Sequence, residues 1–460
     1  MEYIDFLKSK QIATEPKGFY IPPEKLNPKG FEWQNVIVSW ALKKGRAALF
    51  EDCGLGKTYQ QLEFAHRVNE KTNKPVLILA PFGVTGQTVR EGEKFGIKVK
   101  ACRSQYDIVN GVNIANYEIL GKFSSENFGG IVLDESSILK SYMGKQKRQI
   151  IDFCQSIEYR LACTATPAPN DHMELLNHAE FLGIMKSSEA LSVWFIADQS
   201  QSGKYRLKGH AIKPFWQWVS TWAVNISNPA DIGYSDERYT LPKLNEVTDI
   251  VKISELDETF ENGLFRKIDM SATSYHKEKR LTAELRAKRC AEIVKTNEQF
   301  VVWCETNYEA DYLKKYIPEA VEIRGSDKPE HKEKAALDFI DGNIKTLISK
   351  PSILGFGLNF QNCHNTVFCG RDFSFEKYYQ ALRRFWRFGQ TKPVNAYSVL
   401  GSTEQFILQN VQEKARKHDE MQEQMSGAIK NIQLASLKGH RFKLTLESPE
   451  IKIPEWLKGA

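Results

Sequence analysis

The sequence reads Glu51-Asp52-Cys53-Gly54-Leu55-Gly56-Lys57-Thr58 between a short apolar run that ends at Phe50 and a helix-compatible run from Tyr59 to Arg67. A strand, a glycine-rich turn and a helix in this order are typical of a phosphate-binding loop. The strict pattern G-x-x-x-x-G-K-[ST] is not met, because its first glycine falls on Glu51. Taken alone, the stretch is also typical of an ordinary glycine turn that enters a helix.

The residue types of this turn suit the phosphates of a nucleotide. Gly54 and Gly56 allow the backbone to curl so that its N–H groups point at phosphate oxygens. Lys57 supplies a cation for the β- and γ-phosphates, and Thr58 offers its hydroxyl to Mg²⁺. The turn therefore predicts a site for ATP and Mg²⁺.

Two acids follow another apolar run, Ile131 to Leu133, further along the chain. Acidic side chains at the end of a buried strand require a chemical reason, because their burial is costly. Asp134 is predicted to hold Mg²⁺ through water, and Glu135 to orient and deprotonate the water that attacks the γ-phosphate. Seen alone, such a pair is more often a helix cap. Its position downstream of Lys57 and Thr58 favours a hydrolytic site.

A third group of charged residues lies in Gln380-Ala381-Leu382-Arg383-Arg384-Phe385-Trp386-Arg387-Phe388-Gly389-Gln390. Three arginines this close together are costly to bury unless anions meet them. Arg384 and Arg387 are three apart, so they share one helix face and are predicted to reach a γ-phosphate as arginine fingers. Without the other two groups, a surface helix end with packed aromatic residues is the better interpretation. Together, the three groups predict ATP held between two domains.

Short β-branched runs alternate with helical stretches twice along the chain, which predicts two α/β domains, each with a parallel sheet covered by helices. The predicted strands are 47–50, 76–80, 112–115, 131–133 and 161–163 in the first domain, and 300–303, 321–323, 346–349, 366–369 and 396–400 in the second. We expect the first domain over residues 1–170, a helical and loop-like insertion over 171–295, the second domain over 296–445 and a tail over 446–460.

The composition excludes several classes of protein. A chain of 460 residues with 42% hydrophobic and 26% charged residues is typical of a folded multi-domain protein, and neither disordered nor fibrous. The net charge of +6 is mild, so an anionic partner must be met by local patches. No apolar run reaches the roughly 20 residues that span a bilayer. The acids near Met1 and the scattered cysteines lead us to expect a cytoplasmic protein without membrane contact, disulfides or structural zinc.

The middle of the chain carries a basic and aromatic mixture with two interpretations. Trp216, Trp218 and Trp222 lie close to basic residues, a pattern that can contact nucleic acid. Trp218 and Trp222 are four apart, as neighbours on one buried helix face are, and core packing is the stronger interpretation. A second basic stretch, 277–289, is either such a contact or a solvated helix face. The polar string 198–203 predicts an exposed loop.

With these motifs the sequence resembles the superfamily 2 helicase-like ATPases of the Swi/Snf type, in a compact form similar to phage and bacterial members. The resemblance spans about residues 30 to 402. In the first half, the matching blocks are Asp52 to Thr58 for motif I, Leu79 to Pro81 for motif Ia, Asn116 to Glu118 for the block after it, Asp134 to Ser137 for motif II and Thr164 to Asn170 for motif III. In the second half they are Val301 to Trp303 for motif IV, Gly355 to Phe360 for the end of motif V and Gln380 to Gln390 for motif VI.

The resemblance implies two RecA-like parallel-sheet lobes with an ATP cleft between them and a helical insertion. It gives Arg384 and Arg387 the finger roles and leaves Arg383 as an accessory charge. It implies that Gln34 reads adenine, and it puts these further residues in the nucleotide site: Gly54, Leu55, Gly56, Lys57, Thr58 and Gln380. One DNA strand is expected to be held by its phosphates, with little sequence preference. The residues expected to contact DNA are Thr164, Thr166, Lys140, Gly357 and Asn359.

The sequence departs from the family pattern in three places. Ser137 stands where many relatives have His or Asp, the stretch Ser349 to Leu354 does not match the start of motif V, and the segment between the halves carries no chromatin-targeting module. We expect an ATP-driven translocase on double-stranded DNA, acting in replication, repair or recombination. Two alternatives stay open. One is a strand-separating helicase, with Trp216 to Trp222 as its candidate wedge, and the other is a slow nucleotide-gated DNA clamp.

Overall fold

A computed structural model gives the structure of the chain. It describes residues 16–81, 84–140, 144–169, 171–197, 205–235, 237, 239–251, 272–354, 359–372, 374–401, 404, 412–416, 420 and 437, without the side chains of 272–278, 329 and 333. The expected loop at 198–203, Gly357 and the expected tail at 446–460 lie outside the described residues.

A seven-stranded parallel sheet forms the first lobe. The first nine strands are β1 (Arg46–Glu51), β2 (Val76–Ala80), β3 (Val99–Ala101), β4 (Val112–Asn116), β5 (Gly130–Asp134), β6 (Tyr159–Thr164), β7 (Phe195–Ala197), β8 (Tyr205–Leu207) and β9 (Ala223–Ile226). The sheet order is β3-β4-β2-β5-β6-β1-β9, whereas β7 and β8 form a separate antiparallel pair. The five strands predicted for this half are confirmed.

Helices cover both faces of this sheet. They are α1 (Glu32–Lys44), α2 (Lys57–Thr72), α3 (Thr85–Phe95), α4 (Lys145–Cys154), α5 (Glu174–Phe181), α6 (Ser187–Trp194) and α7 (Ile212–Ser220). Short 3₁₀ helices lie at Pro23–Lys25, Gln105–Asp107, Tyr117–Lys122, Ser125–Asn127, Ser136–Lys140, Gly209–Ala211 and Pro229–Ile232. Successive residues of β1 alternate between two cores, Ala48 and Phe50 in one and Ala47 and Leu49 in the other. Burial of both faces explains why these strands read as continuous apolar runs.

A six-stranded parallel sheet forms the second lobe. Its strands are β10 (Leu244–Val251), β11 (Phe300–Cys304), β12 (Val321–Glu322), β13 (Thr346–Ser349), β14 (Asn365–Cys369) and β15 (Val394–Gly401), in the order β10-β15-β14-β11-β13-β12. Its helices are α8 (Ala272–Ile293), α9 (Asn307–Tyr316), α10 (Pro329–Ile340), α11 (Pro351–Leu354) and α12 (Phe375–Leu382). The five strands predicted here are confirmed, and so is the class of two parallel-sheet α/β lobes.

The middle segment contributes to both sheets. After the helices α5 to α7, strand β9 joins the first sheet beside β1, and β10 joins the second sheet beside β15. The first sheet therefore includes a strand beyond residue 170, and the second sheet includes a strand before residue 296. The helical part of the expected insertion is present between β6 and β9.

The tryptophans of the middle segment belong to the core. Trp216, Trp218 and Trp222 are each at most 1% exposed, and Trp218 and Trp222 meet edge to face with ring centroids 5.5 Å apart. Trp194 stacks at a tilt on Trp218 with centroids 5.8 Å apart. The interpretation as core packing is confirmed, and these rings are inaccessible to DNA in this conformation.

The basic stretch 277–289 forms part of α8 and is more than a solvated face. Arg286 is fully buried and forms ion pairs with Glu309 (2.8 Å) and Glu404 (3.4 Å). Lys279 is also buried, 3.8 Å from Glu309. Burying these cations is costly unless acids pair with them. The network therefore ties α8 to α9 and to the segment that follows β15. Arg280 and Lys288, by contrast, are exposed.

Two further features concern the whole described chain. No helix within the described ranges is both long and apolar enough to cross a membrane. All eight cysteines are free thiols, and seven of them are buried.

Candidate active site between the two lobes

The phosphate loop leaves the carboxyl end of β1 and enters α2. Gly54 and Gly56 have φ values of 92° and 81°, in the left-handed region that glycine adopts without strain. Lys57 begins α2, and its Nζ donates hydrogen bonds to the carbonyl oxygens of Glu51 (2.7 Å) and Asp52 (3.0 Å). The lysine cation therefore lies inside the loop, beside the first amides of a 16-residue helix, where an anion is stabilised.

Gln34 on α1 supports this loop. Its Nε2 donates to the carbonyl of Leu55 at 2.8 Å, and its Oε1 accepts from the backbone N–H of Phe31 at 3.0 Å. A Cβ atom on Gly56 would lie 2.3 Å from Gln34 Nε2, and the φ of 81° at this position favours glycine. The side chain thus lies against the phosphate loop, next to the expected nucleotide, while its reading of adenine stays a prediction.

The acidic pair lies at the carboxyl end of β5, beside β6, which separates β5 from β1. Glu135 has a φ of 57°, a strained conformation for a non-glycine residue. The hydroxyl of Thr164 donates to Glu135 Oε1, and the hydroxyl of Ser137 donates to the same oxygen at 3.1 Å. Burial raises the pKa of Glu135, and the hydrogen bond from Thr164 opposes that shift. The carboxyl group is therefore fixed in orientation and is a stronger base than a solvated glutamate.

A buried histidine forms a hydrogen bond with Ser136. The Ser136 hydroxyl and His178 Nε2 are hydrogen-bonded at 3.1 Å, and His178 Nδ1 lies 3.3 Å from the carbonyl of Glu174. Burial lowers the pKa of His178 to about 4, so the ring is neutral at pH 7. This pairing stabilises the turn that carries the two acids.

The donor set at this edge suits Mg²⁺. Asp134 Oδ1 accepts a hydrogen bond from Gln61 Nε2 at 2.8 Å, and Thr58 lies three residues before Gln61, on the same face of α2. Burial raises the pKa of Asp134, against the hydrogen bond from Gln61 and the charge of Lys57. One hydroxyl and one carboxylate are the protein ligands that Mg²⁺ takes when phosphates supply other oxygens. The described residues hold no cluster of three His, Cys, Asp or Glu side chains that competes for the ion.

Residues of the second lobe approach the phosphate loop along one face of α12 and the turn after it. Arg383 forms an ion pair with Asp52, and its Nη2 donates to the carbonyl of Cys53 at 3.3 Å. The hydroxyl of Tyr379 donates to Asp52 Oδ1 at 2.6 Å. Burial alone raises the pKa of Asp52, but the Arg383 charge and the Tyr379 hydrogen bond outweigh it and hold that pKa below its usual value. Arg383, expected only as an accessory charge, thus joins the lobes directly.

The two expected arginine fingers lie next to this contact. Burial lowers the pKa of Arg384, against the attraction of nearby Cys53, Glu135 and Asp134. Arg387 donates to Asn359 Oδ1, and burial together with repulsion from Arg384 lowers its pKa to about 10. Both guanidinium groups therefore belong to the same charged cluster as the loop and the acids.

Gln380 is buried on the same helix. Its side chain is 3% exposed, and neither its amide nitrogen nor its amide oxygen has a hydrogen-bond partner among the described residues. Buried amides normally have partners, because an unmet polar group costs roughly 1 to 3 kcal/mol. An unmet amide in the cleft is consistent with a ligand contact, and its role in the nucleotide site stays a prediction.

Four of the residues expected to contact DNA are described, and each is buried or paired with another side chain in this conformation. Thr164 and Thr166 are fully buried, and the Thr164 hydroxyl is engaged by Glu135. Lys140 Nζ pairs with Glu376 of the second lobe, and Asn359 accepts from Arg387. DNA contacts by these residues stay predictions that require the lobes to rearrange.

Sequence reasoning missed three residues of the cleft: Asp52, Tyr379 and Glu376. A signal existed for one pair, because Tyr379 and Arg383 are four apart and share a helix face. Nothing in the local sequence pairs Tyr379 with Asp52, which lies 327 positions earlier.

Two protein families match the chain, each over one lobe. The SNF2-related domain matches residues 33–209, and the helicase conserved C-terminal domain matches residues 277–389. The first match contains the phosphate loop and the acidic pair, and the second contains the arginines. Together the two matches include both walls of the cleft.

Curated relatives are similar to the chain at low identity. The DNA annealing helicase and endonuclease ZRANB3 of Bos taurus is 25% identical over 178 residues, 35% of this chain and 16% of the relative. The human TATA-binding protein-associated factor 172 is 21% identical over 514 aligned positions, 85% of this chain and 28% of the relative. The chain thus spans less than a third of the length of these two relatives.

One solved structure is similar over most of the chain. The Sulfolobus solfataricus SWI2/SNF2 ATPase core in complex with double-stranded DNA is 16% identical, with a TM-score of 0.43. The similarity covers 92% of this chain and all of that one.

Proposed function

The chain belongs to the superfamily 2 helicase-like ATPases of the Swi/Snf type, and we propose that it hydrolyses ATP to move along double-stranded DNA. One observation carries the proposal: Arg384 of the second lobe lies within electrostatic reach of Asp134 and Glu135 of the first. The Arg387 side chain lies against Gly54 of the phosphate loop. A site divided between two lobes is completed only when they close, which couples hydrolysis to movement.

The roles of the first-lobe residues follow from their contacts. Lys57 exchanges its carbonyl partners for the β- and γ-phosphates. Thr58 and Asp134 would hold Mg²⁺, which would neutralise charge on the phosphates. Thr164 and Ser137 both donate to Oε1 of Glu135, so we assign Oε2 as the acceptor of the proton from the attacking water. The burial that raises the pKa of Glu135 strengthens it as this base.

The second-lobe residues act on the charge that develops during the reaction. Arg384 and Arg387 stabilise the γ-phosphate in the transition state when the cleft is closed. Arg383 and Tyr379 bind the carboxylate of Asp52. A movement of the phosphate loop therefore also moves these two residues of the second lobe. Release of this contact after hydrolysis lets the lobes separate, and repeated cycles move the grip along DNA.

DNA is proposed as the partner because a bovine relative is named as a DNA annealing helicase. Contact with backbone phosphates gives little sequence preference. Replication, repair or recombination in a bacterial or phage-infected cytoplasm is the proposed setting. A strand-separating role is less supported, because its candidate wedge, Trp216 to Trp222, is buried. A slow clamp is also less supported, because Ser137 donates a hydrogen bond to Glu135, the proposed base.

Steady-state ATP hydrolysis tests the proposal. Rates are measured without nucleic acid and with single-stranded DNA, double-stranded DNA or RNA, all at one salt concentration. We expect the strongest stimulation with duplex DNA. Preference for single strands would favour strand separation, and no stimulation by any nucleic acid would favour the clamp.

A further inference from the structure

Glu135, the proposed base, has a backbone conformation that its neighbours must hold. Its φ of 57° lies in the left-handed region, which is unfavourable for a residue with a Cβ atom. Such conformations persist only where the surrounding structure fixes them, and they recur at functional sites. The direction of the carboxylate depends on this φ, because rotation about the N–Cα bond redirects the whole side chain. Contacts that fix the backbone here therefore also direct the base.

Hydrogen bonds fix the chain on both sides of Glu135. On the preceding side, the Tyr117 hydroxyl donates to the carbonyl oxygen of Asp134 at 2.7 Å. On the following side, the Ser136 hydroxyl pairs with Nε2 of His178 at 3.1 Å. The left-handed residue thus lies between two neighbours that are each bonded to a side chain from another part of the first lobe.

His178 is itself fixed in place. It is completely buried, as is Ser136, and its Nδ1 lies 3.3 Å from the carbonyl oxygen of Glu174, one turn earlier in α5. Its ring meets Phe50 of β1 edge to face, with centroids 5.2 Å apart. Because burial lowers the pKa of His178 to about 4, the ring is neutral at pH 7, and a hydroxyl can pair with either neutral tautomer. The imidazole is therefore a fixed partner for Ser136.

The helix that carries His178 also binds the far end of the 3₁₀ helix that follows the acids. Asn177 Nδ2 donates to the carbonyl oxygen of Leu139 at 2.7 Å. Thus α5 contacts the 3₁₀ helix Ser136–Lys140 at its first residue through His178 and near its end through Asn177. Of these two contacts, that of His178 adjoins Glu135, so it is the one expected to affect the direction of the carboxylate.

We propose that His178 is a positioning residue for ATP hydrolysis, which holds Ser136 and thereby keeps the backbone of Glu135 in the conformation that points its carboxylate at the attacking water. The proposal rests on the proposed function, since it presupposes Glu135 as the base. Misplacing a catalytic group by about 1 Å is enough to slow a reaction markedly. Because ATP binding depends on the phosphate loop and not on Glu135, loss of His178 should slow turnover without weakening ATP binding.

Turnover and ATP affinity, measured on the full chain with duplex DNA, separate this role from a structural one. For His178→Leu we expect kcat to fall on the order of tenfold, with the affinity for a fluorescent ATP derivative within about twofold of the wild type. His178→Gln should restore most of the turnover, because its amide reaches the same hydroxyl and can donate or accept. Ser136→Ala should by itself lower kcat, because it removes the same hydrogen bond. Adding His178→Leu to Ser136→Ala should therefore lower kcat by much less than tenfold.

Ser187→Ala is the matched control. The Ser187 hydroxyl is also buried and donates to Glu180 of α5 at 2.6 Å, so its loss should lower stability without changing kcat. Wild-type kcat in both His178→Leu and Ser136→Ala, equal losses of kcat and ATP affinity, or no restoration by His178→Gln would overturn the proposal and leave the proposed function intact. A wild-type chain that does not hydrolyse ATP would overturn both.

Discussion

Asp52 lies inside the phosphate loop and is held by two side chains of the other lobe. Arg383 is 3% exposed and pairs with its carboxylate, and the Tyr379 hydroxyl donates to the same group at 2.6 Å. Removing one partner of such an ion pair leaves the other charge buried without a counter-ion. The contact therefore stabilises the closed arrangement only while all three side chains are present.

A double-mutant cycle measures this coupling. Asp52→Asn and Arg383→Met are each expected to lower the free energy of unfolding, and the double variant should lose less than the sum. We expect a coupling free energy of about 1 to 3 kcal/mol from urea denaturation. Arg416→Met, on an exposed pair with Glu420, is the control and should show no coupling with Asp52→Asn. Strict additivity of Asp52→Asn and Arg383→Met would contradict the contact.

Glu51 at the end of β1 makes stability depend on pH. It is fully buried, and burial raises its pKa to about 7, against the charge of Lys57 and the hydrogen bond from Gln60. The folded state thus holds the proton more tightly than the unfolded state, whose pKa is near 4.5. Stability is fully present below about pH 4.5 and is lost as pH rises towards 7, by roughly 3 kcal/mol in total.

The variant Glu51→Gln should flatten this dependence. Because its amide cannot ionise, the free energy of unfolding should fall less between pH 5 and pH 8 than it does in the wild type. Some slope should remain, since burial also raises the pKa of Glu305 to about 7. Urea denaturation across this pH range is the measurement, with Glu93→Gln, on the exposed face of α3, as the control. An unchanged slope would show that Glu51 is ionised in the folded protein.

The sequence predicts the individual site residues better than their partners. The sequence predicts Lys57, Asp134 and Glu135 as site residues from residue type and position. The structure places Lys57 at the start of α2 and the two acids at the end of β5, and their roles stay predictions. The sequence gives Arg383 only the role of an accessory charge, because its ion-pair partner, Asp52, lies in the other lobe. Thr164 was assigned to DNA, whereas its hydroxyl bonds to Glu135, a neighbour across two strand ends that no local pattern reveals.

At the scale of elements, α12 is the contact between the lobes. Glu376, Tyr379 and Arg383 recur at intervals of three and four residues, so one face of the helix and its end point at the first lobe. Glu376 is largely buried and pairs with Lys140 at the end of the 3₁₀ helix that follows the acidic pair. The ion pair with Glu376 and the predicted DNA contact therefore compete for the Lys140 side chain.

The salt dependence of DNA binding separates these roles. If Lys140 acts through Glu376, then Lys140→Ala leaves the slope of log affinity against log salt unchanged, as we expect from the ion pair. A lysine that neutralises a DNA phosphate reduces that slope by about 1 when it is removed. Lys145→Ala, on the exposed surface of α4, is the control for a general change in charge. A reduced slope specific to Lys140→Ala would restore its assignment to DNA.

The sequence predicts the buried central strands and the edge strand β12, but it misses the edge strands β3, β9 and β10. Strands such as Val76–Ala80 are continuous apolar runs because both faces of the sheet are covered. The edge strand β3, Val99–Ala101, has only three residues, two of them exposed, and β10 at the edge of the second sheet has no fully buried residue. Their position depends on pairing with distant strands, which a local apolar pattern does not record.

At the scale of the whole molecule, the proposed mechanism of hydrolysis requires both lobes. Glu135→Gln removes the proton acceptor but keeps the shape of the side chain, so we expect ATP binding to persist while DNA-stimulated turnover falls at least a hundredfold. Arg387→Ala should reduce turnover more than ATP affinity, because a finger acts chiefly in the transition state. Turnover and fluorescent-ATP binding are measured on the same preparations. Equal losses of turnover and affinity in Arg387→Ala would count against the finger role.

The most direct test of the central claim is displacement of a third strand from a DNA triplex. A protein that moves along a duplex strips off a triplex-forming oligonucleotide without separating the duplex. We expect the wild-type chain to release the third strand only with ATP and Mg²⁺, and Glu135→Gln to release none. Stimulated ATP hydrolysis without release of the third strand, or separation of the duplex itself, would contradict translocation on double-stranded DNA.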